Sequence, residues 1–145
     1  MAAGVTEKLR GHSGSGGAVG EWSPFMSIRR VVPDIKSHHL DESRAFYVDF
    51  LGMKVGMDMG FIVTFVSPSN PTAQISVMRD DNASTLLPDV SVEVADVDEV
   101  HARAIERHLE IVYPLTDEPW GVRRFFVVDP SGTILNVMSH LPKSS

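Results

Sequence analysis

Hydrophobic and polar positions follow two periods along the chain, and the change from one period to the other predicts its secondary structure. IRRVVPDI reads as a strand, and LDESRAFYVDFLG has apolar residues at helical spacing. The predicted apolar face of this helix comprises Phe46, Tyr47, Phe50 and Leu51. Three further strand patterns follow in the order KVGMDM, FIVTFVS and AQISVMR. The first half of the chain is therefore predicted to run strand, helix, strand, strand, strand.

The same succession recurs in the second half. VSVEVA alternates strictly, and DVDEVHARAIERHLE follows as a helix that Asp96 and Glu99 begin with a capping-box-like pair. Its predicted buried stripe comprises Val97, Val100, Ala104, Ile105 and Leu109. IVYPLT, VRRFFVVD and TILNVMS then complete the chain as strands.

The repeat predicts an α+β fold of two βαβββ modules, at about residues 27–79 and 88–140, that form an open, barrel-like cleft. A ferredoxin-like sandwich fits less well, since each helix is followed by too many strands. We expect a single domain over residues 26–141. Residues 1–25 are expected to be a flexible tail, because GHSGSGGAVG offers no hydrophobic period that could offset the entropy of ordering it.

Composition and charge exclude several classes of function. The formal charge of −6 and the lack of any long Lys/Arg run argue against nucleic-acid binding. No apolar run approaches the roughly 18 residues of a membrane span, and no secretory signal precedes the domain, so we expect a cytoplasmic protein. The chain has no cysteine, which excludes disulfides and thiolate metal sites.

Three segments carry a resemblance to a known superfamily. SRAFYVDFLGM, VSVEVADVD and FFVVDPSGTIL resemble the vicinal oxygen chelate superfamily, which includes glyoxalase I, extradiol dioxygenases and bleomycin-resistance proteins. The bleomycin-resistance branch looks closest, because a proline lies within the first strand and PWG precedes the FFVVDPSG turn. The resemblance implies a homodimer, with an N-terminal arm exchanged at Pro33. Alternatively, Pro33 lies at a sheet edge or a strand end where no backbone donor is needed.

The resemblance also implies four inward-facing slots that hold a metal in many members. Counting from the landmarks places Val32, Asp89 and Asn136 in three of these slots, and either Gln74 or Ser76 in the fourth. Valine offers no lone pair, and the set lacks imidazole and multiple carboxylates. No cofactor is therefore expected. A divalent metal, if held at all, would have Asp89, Asn136, Gln74 and His140 as its ligands.

Several side chains are candidates for contact with a ligand in the cleft. Trp120 offers a ring for stacking, and either Arg123 or Arg124 faces the cleft, since consecutive strand residues point to opposite sides. Met57, Met59 and Phe61 are candidates for an apolar wall. The predicted ligand-binding set is Trp120, Asn136, Asp89, Arg123, Phe61 and Met59. The histidines at positions 38, 39, 101 and 108 are expected to face solvent.

The sequence thus predicts a small-molecule-binding protein that sequesters its ligand in a dimer cleft, as antibiotic-resistance proteins of this kind do, without a catalytic metal. A metal-dependent glyoxalase-like lyase or extradiol-type dioxygenase is the alternative, and a module whose cleft binds nothing is a third. No catalytic residue is assigned. No nucleophile elbow or phosphate-binding glycine loop is present in the sequence.

Overall fold

One open eight-stranded sheet with two helices against one face makes up the part of the chain that the computed structural model describes, residues 27–81 and 85–142. The predicted tail, residues 1–25, lies outside these ranges. The elements are β1 (Ile28–Ser37), α1 (Leu40–Ala45) with its π-helical continuation (Phe46–Phe50), β2 (Lys54–Asp58), β3 (Ile62–Val66), β4 (Gln74–Arg79), β5 (Val90–Val94), α2 (Val97–Glu106), β6 (Ile111–Asp117), β7 (Val122–Val128) and β8 (Ile134–His140).

The strand order across the sheet is β2-β3-β4-β1-β5-β8-β7-β6. β1 runs parallel to β4, β5 runs parallel to β8, and β1 and β5 join the two halves in antiparallel pairing. Along the chain, strand, helix and three strands are followed by the same succession again. The predicted α+β class and the open sheet are confirmed.

Two apolar clusters lie on the face of the sheet that the helices cover. Under α1, Val63, Phe65 and Val77 are buried, and the ring of Tyr47 stacks on Phe65 at 5.1 Å between centroids. Under α2, the buried residues are Val94, Val97, Ala104, Phe125, Val127 and Val137. Because side chains alternate along a strand, the residues between these positions point to the opposite face.

The predicted apolar face of the first helix is only partly correct. Tyr47 packs against the core, whereas Phe46, Phe50 and Leu51 are exposed, Phe50 by 75%. The cause is the π-helical turn, in which Leu51 N–H donates to the carbonyl of Phe46 five residues earlier. This wider turn breaks the i, i+4 register on which the predicted stripe depended.

The second helix begins as predicted but ends early. The Asp96 side chain accepts hydrogen bonds from the backbone N–H groups of Asp98 and Glu99 and so caps the helix. Helix α2 ends at Glu106, and Leu109 lies beyond it, exposed. Ile105 is 56% exposed, because it lies about 100° around the helix from the buried Ala104. The stripe therefore ends at Ala104.

Neither helix within residues 27–81 and 85–142 has the length and apolarity needed to cross a membrane.

Candidate functional site

A cavity of about 640 Å³ opens on the face of the sheet away from the helices. Strands β4, β1, β5 and β8 form its floor. One wall carries Met57, Met59 and Phe61, and the other carries Trp120 and Arg124. This volume and a largely apolar lining with a few polar groups are typical of small-molecule sites.

The floor of the cavity contains one row of cross-strand neighbours. Val32 of β1 pairs with Ser91 of β5, and Ser91 pairs with Asn136 of β8. All three line the cavity. Gln74 and Ser76 of β4 line it too, and Ser76 pairs with Asp34.

A hydrogen-bonded chain runs through this floor. Asn136 Nδ2 donates to Ser91 Oγ at 3.0 Å, and Ser91 Oγ donates to Asp34 Oδ2 at 2.6 Å. Asn136 is only 8% exposed. Its Oδ1 is buried and receives no hydrogen bond from the described residues. An unpaired buried acceptor of this kind costs about 1–3 kcal/mol.

The Asp34 carboxyl group is 7% exposed and lies in the floor of the cavity. Burial raises its pKa from 3.8 to about 6, against the hydrogen bond from Ser91 and the charges of Lys36 and Arg124, while the Asp89 charge adds to the rise. Asp34 therefore changes its charge near neutral pH. Beside it, the hydroxyl groups of Thr64 and Ser76 form a buried pair, 2.7 Å apart.

A second polar cluster ties both halves of the sheet together. Arg30 Nε donates to Glu93 Oε1 at 2.5 Å, and Arg30 also donates to the side-chain oxygen of Gln74. His140 Nδ1 lies 3.0 Å from Glu93 Oε2. Burial alone would raise the pKa of Glu93, but the hydrogen bonds from Arg30 and His140 outweigh it and lower the pKa. The side chains of this cluster therefore satisfy one another's hydrogen bonds.

Arg124 lies among three aromatic rings. Its guanidinium carbon is 4.9 Å from the ring centroid of Phe126 and 5.2 Å from those of Tyr113 and Trp120. Arg124 Nε donates to Glu118 Oε2 at 2.6 Å, and Tyr113 donates to the same oxygen at 2.8 Å. Cation–π contacts and one ion pair thus hold the guanidinium beside the 44% exposed Trp120.

The structure brings most of the predicted site residues together. Trp120, Asn136, Phe61 and Met59 line the cavity, as do the further candidates Val32, Met57, Gln74, Ser76 and His140. Asp89 and Arg123 do not line it.

Asp89 points away from the cavity. Its carboxylate accepts hydrogen bonds from Lys36 Nζ at 2.6 Å and from the backbone N–H of Ile134 at 2.9 Å, and the Lys36 bond is the main reason that its pKa is lowered. Counting back from the second helix ended at Asp89, one residue before β5 begins at Val90. Ser91, two residues later, occupies the position in the row.

Of the two consecutive arginines, Arg124 faces the cavity and Arg123 faces the other way. Arg123 donates to Asp117 at 2.5 Å and to Asp98 of α2 at 2.9 Å. These hydrogen bonds and charges raise the pKa of Arg123 and lower that of Asp117. The alternation along β7 made this an either-or choice, and Phe126, two residues after Arg124, lines the cavity as well.

The predicted solvent-facing histidines divide into two groups. His38, His39 and His108 are exposed. His101 instead packs edge-on against Phe125, with 4.9 Å between ring centroids. It belongs to the interface between α2 and the sheet. Its seven-residue spacing from His108 predicted that both histidines share one helix face, but α2 ends at Glu106, before His108.

The floor residues do not suit a divalent metal. The row of valine, serine and asparagine supplies no anionic or imidazole ligand, and Gln74 and His140 are occupied by Arg30 and Glu93. Asp34 adds one carboxylate to the floor, but a single carboxylate is too few for a tight metal site. Within residues 27–81 and 85–142, no three His, Asp or Glu side chains are grouped so that they could hold a metal.

Sequence reasoning missed two members of the polar chain. Asp34 follows Val32 by two residues on the same strand, so the period of 2 that placed Val32 in the cleft also places Asp34 there. Ser91 was hidden by the count that ended at Asp89. The available signal was the strict alternation of VSVEVA, which puts Ser91 and Glu93 on one face.

The open α+β sheet and the strand-lined cavity define a fold class shared with several solved structures. One is a glyoxalase/bleomycin resistance protein/dioxygenase superfamily member from Vibrio splendidus 12B01, at 20% identity and a TM-score of 0.61 over 78% of this chain and 99% of that one. Methylmalonyl-CoA epimerase from Mycobacterium tuberculosis is 18% identical, with a TM-score of 0.62 over 81% and 91%.

The Mn(II)-bound glyoxalase from Novosphingobium aromaticivorans is 18% identical, with a TM-score of 0.55 over 83% of this chain and 42% of that one. None of the curated proteins matches the chain significantly. Residues 31–142 match the family model of the glyoxalase-like domain. The chain therefore belongs to the glyoxalase-like domain family, which confirms the predicted superfamily.

Proposed function

We propose that this protein binds a small molecule in the sheet cavity without a catalytic metal. The observation that carries the proposal is the row of Val32, Ser91 and Asn136, three cross-strand neighbours that offer no anionic or imidazole ligand. A relative with a metal site needs such ligands on convergent strands. The cavity is nevertheless of ligand size and keeps polar groups on its floor.

The walls favour a planar ligand. Trp120 provides an exposed ring, and Arg124 lies against it and can donate from its remaining N–H groups. Met59 and Phe61 supply apolar surface on the opposite wall. A flat, largely apolar molecule lying across the floor would contact both walls.

The proposal includes the finer features expected from the sequence. Two βαβββ modules share one cleft, the likeness is to bleomycin-resistance members that sequester a ligand, and the cytoplasmic protein is a homodimer with an arm exchanged at Pro33. Pro33 is exposed and lies within β1 opposite Val90, and β1 is an interior strand of the sheet, so the alternative of a sheet-edge position does not apply. Neither nucleic acid nor membrane is a partner.

Metal binding separates this proposal from the alternative of a metal-dependent lyase or dioxygenase. The purified protein is dialysed against Zn(II), Ni(II), Mn(II) and Fe(II) in turn, and bound metal is measured by mass spectrometry. We expect less than one-tenth of an equivalent of each. A stoichiometric site of submicromolar affinity would overturn the metal-free function.

Ligand binding is tested with a thermal-shift screen of planar aromatic compounds, with cationic antibiotics first. A compound present at 100 times its dissociation constant should add about 2.7 kcal/mol to the free energy of unfolding. Trp120→Ala should weaken binding of any hit at least tenfold. Ile105→Ala, which removes an exposed side chain on the helix-covered face, is the matched control and should leave binding unchanged.

A further inference from the structure

We propose that Asp34, Ser91 and Asn136 form a proton-reversible relay that sets the hydrogen-bonding sense of the cavity floor. With Asp34 ionised, Asn136 offers a carbonyl oxygen to the ligand. With Asp34 protonated, the relay reverses and Asn136 offers N–H donors instead. The inference rests on the proposed binding function for its ligand, whereas the relay itself belongs to the protein without a ligand.

The ionised Asp34 fixes the direction in which the hydrogen bonds of the relay run. An ionised carboxylate only accepts hydrogen bonds, so Ser91 must use its single hydroxyl proton on Asp34, at 2.6 Å. The Ser91 oxygen can then only accept from Asn136, which therefore turns Nδ2 toward it, at 3.0 Å. The charge on Asp34 thus fixes the orientation of the Asn136 amide at the other end of the hydrogen-bonded series.

The Asn136 side-chain oxygen is the unpaired end of the relay. Once Nδ2 points to Ser91, Oδ1 of Asn136 points elsewhere, and it is buried with no donor among the described residues. Asn136 lines the cavity, so a ligand N–H or O–H group that moves in far enough to reach this covered oxygen would become its partner. Such a ligand would remove the cost of an unpaired buried acceptor.

Protonation of Asp34 reverses the direction of the hydrogen bonds in the relay. A proton placed on Asp34 Oδ2 makes that atom a donor to Ser91 Oγ, and Ser91 then directs its own hydroxyl proton to Asn136. The amide accepts this bond by turning 180° about its terminal bond, which exchanges Oδ1 and Nδ2. One proton is taken up at Asp34, and none is gained or lost at Ser91 or Asn136.

The charged groups around Asp34 allow this change near neutral pH. Lys36 on β1 and Arg124 on β7 favour the ionised form, while Asp89, just before β5, opposes it. Lys36 and Asp89 pair with each other at 2.6 Å, which weakens the effect of both. From β4, the neighbour of Asp34 is the uncharged Ser76, so burial dominates and brings the pKa to about 6.

The relay predicts the class of ligand. Above about pH 6 the floor selects a planar molecule that carries an N–H or O–H donor, and below that pH it selects one that carries an acceptor. Indole and benzofuran have nearly the same shape and differ by an N–H donor against an ether oxygen. They are therefore suitable probes of the selection.

Nuclear magnetic resonance of the ligand-free protein tests the relay directly. The Asn136 side-chain amide signals and the Asp34 carboxyl carbon signal are followed from pH 4.5 to pH 8. We expect both to titrate with one midpoint near 6. Asp34→Asn should abolish the change at Asn136. Ser91→Ala should leave Asp34 titrating while the Asn136 signals stay constant.

Ser76→Ala is the matched control, since it removes a buried hydroxyl group beside Asp34 that lies outside the relay. It should preserve the common titration of Asp34 and Asn136. Asn136 signals that remain constant while Asp34 titrates in the wild-type protein would overturn the relay. This result requires neither metal nor ligand, so it is independent of the metal-binding test of the proposed function.

Binding of the two probes to the wild-type protein, measured from backbone amide shifts, tests the selection. The ratio of indole to benzofuran affinity should be at least fivefold higher at pH 8 than at pH 5, and Asp34→Asn should make it independent of pH. An unchanged ratio, or binding of neither probe, would overturn the ligand-selecting part of the proposal. Metal uptake by the protein would instead contradict the metal-free function alone.

Discussion

At the scale of single residues, the buried carboxyl group of Asp34 is costly to ionise. It is buried in a floor where a charge loses most of its hydration, and one hydrogen bond from Ser91 does not compensate. Binding sites commonly retain such conflicts, because a group that is costly in the empty protein is available for interaction with a ligand.

Replacement of Asp34 by asparagine should make the protein more stable at high pH. The folded state holds the Asp34 proton more tightly than the unfolded state, so wild-type stability falls as pH rises from 3.8 through about 6. The difference between these pKa values corresponds to on the order of 3 kcal/mol. Urea unfolding at pH 8 should show Asp34→Asn more stable than wild type, and at pH 4 the gain should largely vanish.

Asp41→Asn is the control for this comparison, since Asp41 is an exposed carboxylate in the first turn of α1. It changes the net charge by the same amount without changing a buried group. A stabilisation by Asp34→Asn that is equal at both pH values would contradict the assigned cause, because the charge of Asp34 would then play no part in it.

Residue identities in the cavity could be predicted from the sequence only where a strand was read in the correct register. Val32 was counted back from Phe46 in the first helix and Asn136 forward from the Asp-Pro-Ser-Gly turn before β8, and both line the cavity. Asp89 was placed by counting back from the start of the second helix, and hydrophobic alternation does not mark where β5 begins. The count was two residues short of Ser91 and stopped at Asp89, which lies just before β5 and does not line the cavity, and so Ser91 was missed.

At the scale of elements, edge strand β2 depends on a glycine for its place against β3. A Cβ atom at Gly56 would overlap Cγ2 of Val66. Both residues line the cavity, and the pairing of β2 with β3 shifts register between Val55 and Met57. The glycine therefore allows β2 to approach β3 closely at this wall of the cavity.

Gly56→Ala should destabilise the protein by about 1–3 kcal/mol, because the stiff, β-branched Val66 cannot move aside without shifting the strand. Chemical denaturation measures the loss. Adding Val66→Ala should recover at least half of it, although Val66→Ala alone destabilises the protein. Losses that simply add in the double variant would show that the two side chains do not meet.

Element types were predictable because both helices and all the described strands have strong periodic patterns. The ends of the helices were not. A π-helical turn in the first helix and a left-handed residue, His108, after the second change the course of the backbone without changing hydrophobicity. The orientation of Arg123 and Arg124 was also open, since the pairing of β6 with β7 contains two register shifts.

At the scale of the whole molecule, the floor row brings together strands from both halves of the chain. Val32 lies in the first half, and Ser91 and Asn136 lie in the second. The row exists only because β1 and β5 pair at the centre of the sheet. Its metal-binding capacity should therefore be recoverable by changing these side chains while the fold stays as it is.

The triple variant Val32→His, Ser91→His and Asn136→Glu should bind one equivalent of Zn(II) or Ni(II), because two imidazoles and a carboxylate would then project from neighbouring strands. Isothermal titration calorimetry measures the affinity, which we expect to be micromolar or tighter. The matched control replaces Ser91→His by Asp89→His and should bind at least tenfold more weakly. Equal affinities would contradict the assignment of Ser91 to the row.

The central position of β1 also has a consequence for synthesis on the ribosome. β1 emerges before the other described strands, yet one of its two neighbours, β5, emerges only after β4. Until then, the edge of β1 that later joins the halves has no partner strand in the emerging chain. A nascent chain paused between β4 and β5 should consequently be recognised by chaperones that bind open strand edges, and this recognition should cease once β5 has paired.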